Sequence, residues 1–252
     1  MDAEVKNPVD ALSPNEIHER YLRASEKIES ALRASGRAPG SVRLVVVTKT
    51  HPVETVRALI DAGARDLGEN YVEEALPKIE AIGRVDGLRW HMIGHVQARK
   101  ADQVAGRFNM LHSLDSFRLA SRLDHFAGQV RRRLPVLLEM NVSGETSKFG
   151  YPAWSENEWA AVQTEVGRLG SLPNLEIRGL MSMPPFSNEP EGSRPFFRRM
   201  RSLQVHLAEA FPQMVWKELS MGTSIDFVVA IEEGATVVRV GSAILGPRPA
   251  KA

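Results

Sequence analysis

The chain opens on a helical period. Ser13-Pro14-Asn15-Glu16 puts a hydroxyl at an N-cap, a proline at the first helical position and an acid at the third, the pattern of a capping box. Ile17, Tyr21, Ala24, Ile28 and Ala31 follow at spacings of four, three, four and three, so one apolar stripe runs to about Ser35, where Gly36 stops it. From Ser41 the pattern changes. Short apolar runs alternate with longer amphipathic ones, each pair taking roughly 20 to 40 residues, as successive βα units do. Eight strands are predicted: Val42 to Thr48, Asp66 to Gly68, Leu88 to Ile93, Met110 to Ser113, Pro135 to Val142, Glu176 to Met181, Glu218 to Ser220 and Val237 to Val240. Helices are expected to start near Pro52, Tyr71, Gln97, Ser116, Ser155, Ser193 and Ser224. Val45-Val46-Val47 and Val136-Leu137-Leu138 are continuously apolar, as parallel strands covered on both faces are.

These units predict an α/β fold, a closed (β/α)8 TIM barrel with an additional N-terminal helix. An open doubly wound sheet would carry a glycine-rich phosphate turn after its first strand, and Val47-Thr48-Lys49-Thr50 is not one. The length of 252 residues suits a single such domain over 1–252, with residues 1–12 expected to be flexible. Lys and Arg total 32 against 31 for Asp and Glu, so no net field marks a nucleic-acid or anionic-membrane partner. Arg131-Arg132-Arg133 reads as a solvated helix end. The absence of cysteine removes disulfides, thiolate nucleophiles and thiolate metal ligands, and with no export signal or apolar span in view a cytoplasmic location is expected.

Barrel sites lie at the C-terminal ends of the strands. Those ends read Thr48-Lys49, Gly68-Glu69-Asn70, Gly94-His95, Ser113-Leu114-Asp115, Asn141 to Gly144, Met181 to Pro184, Met221 to Ser224 and Gly241-Ser242. The long stretch Asn141 to Pro152 contains Ser147-Lys148-Phe149-Gly150 and has the length of a lid, and Pro184 to Pro195 is a second loop. A lysine closing a buried strand is partly desolvated, which lowers an ammonium pKa, and a neutral amine attacks an aldehyde; Lys49 is therefore a Schiff-base candidate. Position alone leaves a second reading open, a lysine that turns past the strand end to water. The glycines and hydroxyls of Met221-Gly222-Thr223-Ser224 and Gly241-Ser242 suit a phosphate seat. Ser224 is expected to cap a helix from Ile225 to Glu233 and to offer its hydroxyl to a phosphate, although an N-cap alone, and turn glycines alone, would explain these residues too. Arg239 alternates onto the face of Gly241 and points into the barrel, where it needs a partner. Against a pyridine nitrogen the guanidinium would donate and stay charged, leaving the ring a weakened electron sink. His91 and His95, four apart, lack the helix and general-base Glu of a zinc motif, so no metal site is expected. Glu69 and Asn70 are expected to support the site or contact a ring.

Read together, these blocks resemble the pyridoxal phosphate homeostasis proteins, which are alanine-racemase N-terminal-domain-like. The resemblance runs from the opening helix to Gly246 and is carried by Val46 to Thr50, Gly68 to Glu74, Trp90 to Gln97, Asn141 to Glu145, Ser147 to Gly150, Arg178 to Met181, Leu219 to Gly222 and Val238 to Ser242. It implies pyridoxal 5′-phosphate (PLP) bound covalently on Lys49, phosphate contacts from Ser224, Gly241 and Ser242, a ring-nitrogen contact from Arg239, and pocket positions at Asn70 and Met221. It also implies a protein without established catalysis that stores, buffers or transfers PLP, with PLP-dependent apo-enzymes as conceivable recipients. Two blocks depart from the family pattern: Met221-Gly222-Thr223-Ser224-Ile225-Asp226-Phe227-Val228-Val229 is more apolar in its helix, and Val96-Gln97-Ala98-Arg99-Lys100 replaces a Leu-Gln-x-Asn-Lys run.

The alternatives are a PLP-dependent enzyme such as an amino-acid racemase, and a cofactor-free lysine aldolase on the same fold. The resemblance implies that racemases take their second base from a further domain and a partner subunit, and the 11 residues after Gly241 leave no room for that domain, so a monomer is expected. Lys148 and Lys100 are candidates for a second, transient aldehyde acceptor, against the plainer reading of both as solvated lysines.

Overall fold

The computed structural model describes residues 12–247. Helix α1, Pro14–Ala34, starts at the predicted capping box: the Glu16 amide donates to Ser13 Oγ and the Ser13 amide to Glu16 Oε2. Its stripe is buried at Ile17, Ala24, Ile28 and Ala31, with Tyr21 at the margin, and it packs against helices α2 (Val53–Asp61), α8 (Phe227–Glu232) and α9 (Ser242–Leu245). The expected flexible segment lies outside the described residues except for Leu12, which packs on the core.

The sheet is entirely parallel. Its strands are β1 (Arg43–Val47), β2 (Asp66–Glu69), β3 (Arg89–Met92), β4 (Met110–Leu114), β5 (Leu134–Asn141), β6 (Tyr151–Pro152), β7 (Leu175–Ser182), β8 (Glu218–Ser220) and β9 (Val237–Val240). The order β4-β3-β2-β1-β9-β8-β7-β5 closes on itself through β4 and β5. This is an eight-stranded parallel barrel ringed by helices, as predicted, and each of the eight strands lies within about one residue of its expected position. The two-residue β6 is an addition: the loop after β5 doubles back to bridge Asn141. Helices α3 (Val72–Ile82), α4 (Ala101–Arg107), α5 (Phe117–Gln129), α6 (Trp159–Leu169) and α7 (Arg194–Ala210) complete the ring. Near Gln97 and Ser155 the chain first makes a single 3₁₀ turn before α4 and α6 begin.

Alternation divides the strands into two chemistries. Outward residues such as Val46, Leu67, Met92, Leu111, Leu138, Leu180 and Val238 join one core with the helices. Inward residues form a smaller apolar layer, Met110, Leu137 and Met181, surrounded by polar groups. The strands approach closely at Gly179, whose φ of 149° is outside the usual range of an L-residue; a Cβ there would lie 1.9 Å from the Glu218 carbonyl oxygen.

Candidate functional site

A cavity of about 740 Å³ opens at the C-terminal ends of the strands. Six of the seven sequence-predicted residues meet there: Lys49, Asn70, Ser224, Arg239, Gly241 and Ser242. Lys49 is half-buried, two residues past β1, in a tight turn whose next residue, Thr50, takes a left-handed φ of 65°. That turn is pinned from outside: the Thr50 amide donates to Glu74 of α3 at 3.0 Å. Below it, Thr48 Oγ1 and Lys78 Nζ both donate to Glu69 Oε1, at 2.7 and 2.8 Å, and Lys78 also holds the Thr48 carbonyl. Glu69 therefore faces α3 and does not line the cavity, and of its two expected places it takes the supporting one, beneath the lysine turn. Gly94 lets the ends of β2 and β3 touch, since a Cβ there would lie 2.3 Å from the Asn70 carbonyl oxygen.

On the opposite flank, Ser224 Oγ accepts from the amides of Gly241 and Ala243, at 3.1 and 3.2 Å. This corrects the expected cap. Helix α8 begins at Phe227, and the turn before it is closed by Asp226, whose carboxylate accepts from the Thr223 amide at 2.7 Å. With two bonds accepted, the Ser224 hydroxyl proton is left to point into the cavity beside the first turn of α9. Met221 is the seventh predicted residue and the structure does not bring it to the cavity. Ser220 points inward, so alternation turns Met221 outward, where it is fully buried among the helices.

Arg239 does point inward and is buried, but the protein itself partners it. Its NH1 donates to Ser220 Oγ at 2.6 Å and its NH2 to the Ser182 carbonyl at 2.9 Å. Burial pulls its pKa down to about 10, so it stays a cation at neutral pH. From Ser220 a bonded chain crosses the barrel interior: His112 Nδ1 lies 2.9 Å from Ser220 Oγ, His112 Nε2 2.9 Å from His91 Nδ1, and His91 Nε2 2.8 Å from Asp66 Oδ1. Burial pushes both histidines down, so both are neutral. One set of proton positions then satisfies the whole row. Arg239 donates to Ser220, Ser220 to His112, His112 to His91, and His91 to the Asp66 carboxylate, which also pairs with Arg89 at 2.7 Å. At that far end a second cavity, of about 610 Å³, is lined by Arg43, Asp66, Arg89 and Glu218, which pair with one another.

Residues Phe149, Met183 and Phe186 wall the rim. Phe149 stacks on His95 with centroids 3.8 Å apart, and His95 Nδ1 lies 2.7 Å from Asp115. Lys148 donates to the Met183 carbonyl, so the loop after β5 reaches over one side of the mouth. Lys100 lies on the rim, paired with Glu73. His91 and His95, considered above as a pair, point to different partners.

Residues 27–249 match the family profile described as alanine racemase, N-terminal domain. The chain is 38% identical over 230 residues to the pyridoxal phosphate homeostasis protein of Aquifex aeolicus, covering 91% of this chain and 97% of that one. It belongs to the pyridoxal phosphate homeostasis protein family. Among solved structures it is similar to PipY of Synechococcus elongatus with PLP bound, at TM-score 0.78 and 33% identity, over 91% of this chain and all of that one. Alanine racemase from Corynebacterium glutamicum shares the fold at TM-score 0.66 and 15% identity, and this chain spans 62% of its length.

Within this pyridoxal phosphate homeostasis family member, sequence reasoning missed Glu139, which lines the mouth from β5. Its signal was available: one carboxylate inside an apolar run, on the inward face with Leu137. Burial, with Asp115 adding to it and Arg239 opposing, pushes its pKa up to about 7. The Asp66–His91–His112–Ser220 row was missed as well, because its members lie far apart in sequence.

Proposed function

We propose that the chain binds PLP at the barrel mouth through Lys49 and serves intracellular PLP homeostasis by storing, buffering or transferring the cofactor, without catalysing a reaction of its own. The observation that carries this reading is the convergence of an amine, an inward guanidinium and a hydroxyl-and-amide seat on one cavity. Bound PLP supplies an aldehyde that reacts reversibly with an amine. Lys49 is the amine this site offers, held by the turn that Glu74 and the Glu69–Lys78 pair brace. The Ser224 and Ser242 hydroxyls and the Ser242 amide offer donors to a phosphate, and Gly241 keeps their seat low against Val47, where a Cβ would come within 3.3 Å. Arg239, a cation without an acidic hydrogen to lose at neutral pH, donates to the ring nitrogen and so discourages its protonation. Loss of that electron sink favours holding over carbanion chemistry. Recipients are PLP-dependent apo-enzymes in the cytoplasm, and the chain works as a monomer.

Purified protein given PLP is expected to show an absorbance band near 420 nm that Lys49→Ala abolishes. A chain that PLP cannot colour would sink the reading. Incubating the loaded protein with amino acids in deuterated water separates carrier from racemase: Lys49-dependent α-proton exchange at catalytic rates would refute the carrier.

A further inference from the structure

The loop at residues 141–150 has a fixed base and a loosely held tip. One side chain folds its start: Asn141 Oδ1 accepts from the amides of Ser143 and Gly144, at 3.3 and 3.0 Å, and its Nδ2 donates to the Glu145 carbonyl at 2.9 Å. Its end is clamped at Gly150, which has a φ of 106° and where a Cβ would lie 2.7 Å from the Glu139 carbonyl oxygen. Between these anchors the tip touches both flanks of the mouth. Lys148 Nζ donates to the Met183 carbonyl after β7, at 3.2 Å, and pairs with Glu145 inside the loop. Phe149 lays its ring on that of His95 after β3, with centroids 3.8 Å apart and planes 11° from parallel. The His95 ring is a prepared platform, since its Nδ1 lies 2.7 Å from Asp115, a carboxylate that Ser116 also bonds. Phe149 is nonetheless 55% exposed, so the stack and not the core holds it in place.

The tip thus reaches from the end of β3 to the end of β7, across the mouth of the cavity that Lys49, Arg239 and Ser242 share. Its contacts there are weak in kind, a half-solvated stack and an exposed ion pair, and they break and re-form without disturbing the barrel. The base, by contrast, is tied to β5 by backbone and by Asn141. Resting on the PLP reading above, we infer that residues 145–149 are a latch on the mouth: it is closed while Phe149 stacks on His95 and open when the two rings part. The rings meet each other and need no ligand atom to do so, so closing the latch slows entry and exit by one factor. The latch sets how fast PLP exchanges with solvent, separately from how tightly the seat holds it. A protein that stores its ligand gains retention in this way without a deeper binding well.

Phe149→Ala and His95→Ala each remove the stack, and Phe149→Tyr keeps it. Stopped-flow fluorescence with pyridoxine 5′-phosphate, which carries the ring and phosphate but no aldehyde, reads entry and exit free of the Lys49 chemistry. Losing one aromatic stack is worth roughly threefold to tenfold, so association and dissociation rate constants are both expected to rise by that same factor in F149A and in H95A. F149Y is expected to match the native protein. Because the two alanine substitutions delete one contact, the double variant is expected to be no faster than either single one. In hydrogen exchange on the unloaded protein, the Lys148 amide, which donates to the Glu145 carbonyl, is expected to lose protection in both single variants. Unchanged rates would overturn the inference. So would a rise in dissociation alone, which makes Phe149 a ligand contact, or additive effects, which make the two rings independent. Failure of the native protein to hold either pyridoxine 5′-phosphate or PLP is a different outcome: it removes the cofactor reading itself, while hydrogen exchange still decides whether the His95 stack holds the tip closed.

Discussion

Glu139 carries its raised pKa as a stability cost. Its folded value near 7 lies above the ordinary 4.5, so the stability of the protonated form is fully present below the ordinary value and is lost as pH rises through 7. A shift of that size corresponds to about 3 kcal/mol. Glu139→Gln is therefore expected to leave urea stability unchanged near pH 4.5 and to raise it by up to about 3 kcal/mol at pH 8, a pH-dependent difference that a general packing effect would not show. Glu69 of β2 illustrates the contrast. It is fully buried, Thr48 and Lys78 bond one of its oxygens, and it does not line the cavity.

At the scale of elements, the row from Arg239 to Asp66 ties β9, β8, β4, β3 and β2 across the barrel. Removing one link strands two others. Ser220→Ala leaves Arg239 NH1 and His112 Nδ1 without their partner in a fully buried place, so a loss of about 2–4 kcal/mol is expected in urea unfolding. Because Arg239 loses its anchor, the same variant is expected to shift the position or intensity of the 420 nm band. An unshifted band in a destabilised protein would show that the row supports the fold and not the guanidinium.

Across the whole molecule, closure of the barrel through β4 and β5 removes sheet edges, and α1 adds a further covering layer outside α2, α8 and α9. That layer touches α9, whose first residue Ser242 lines the mouth, so α1 braces the cavity from outside. Ile28 of α1 is 3% exposed. Ile28→Ala is expected to cost about 2–4 kcal/mol in thermal or urea unfolding while leaving the affinity for PLP little changed, since no lining residue is altered.

Much of this was legible along the chain. Period and punctuation determine where the strands and α1 begin, because capping boxes and apolar runs act locally, and the strand ends then name Lys49, Arg239, Gly241 and Ser242 by register alone. Alternation also contained the outward turn of Met221 and the inward turn of Glu139, although the family resemblance placed the first in the pocket and the apolar run hid the second. Other features belonged to tertiary structure. Ser224 does not cap α8, because its hydroxyl oxygen is taken by the Gly241 and Ala243 amides at the start of α9, 17 and 19 residues away. Glu69 looks to Lys78, and His91 to His112 and Asp66, because side chains find partners across closed strands at distances the sequence does not encode. The partial burial of Glu139, and with it the raised pKa, exists only once eight strands have closed into a barrel.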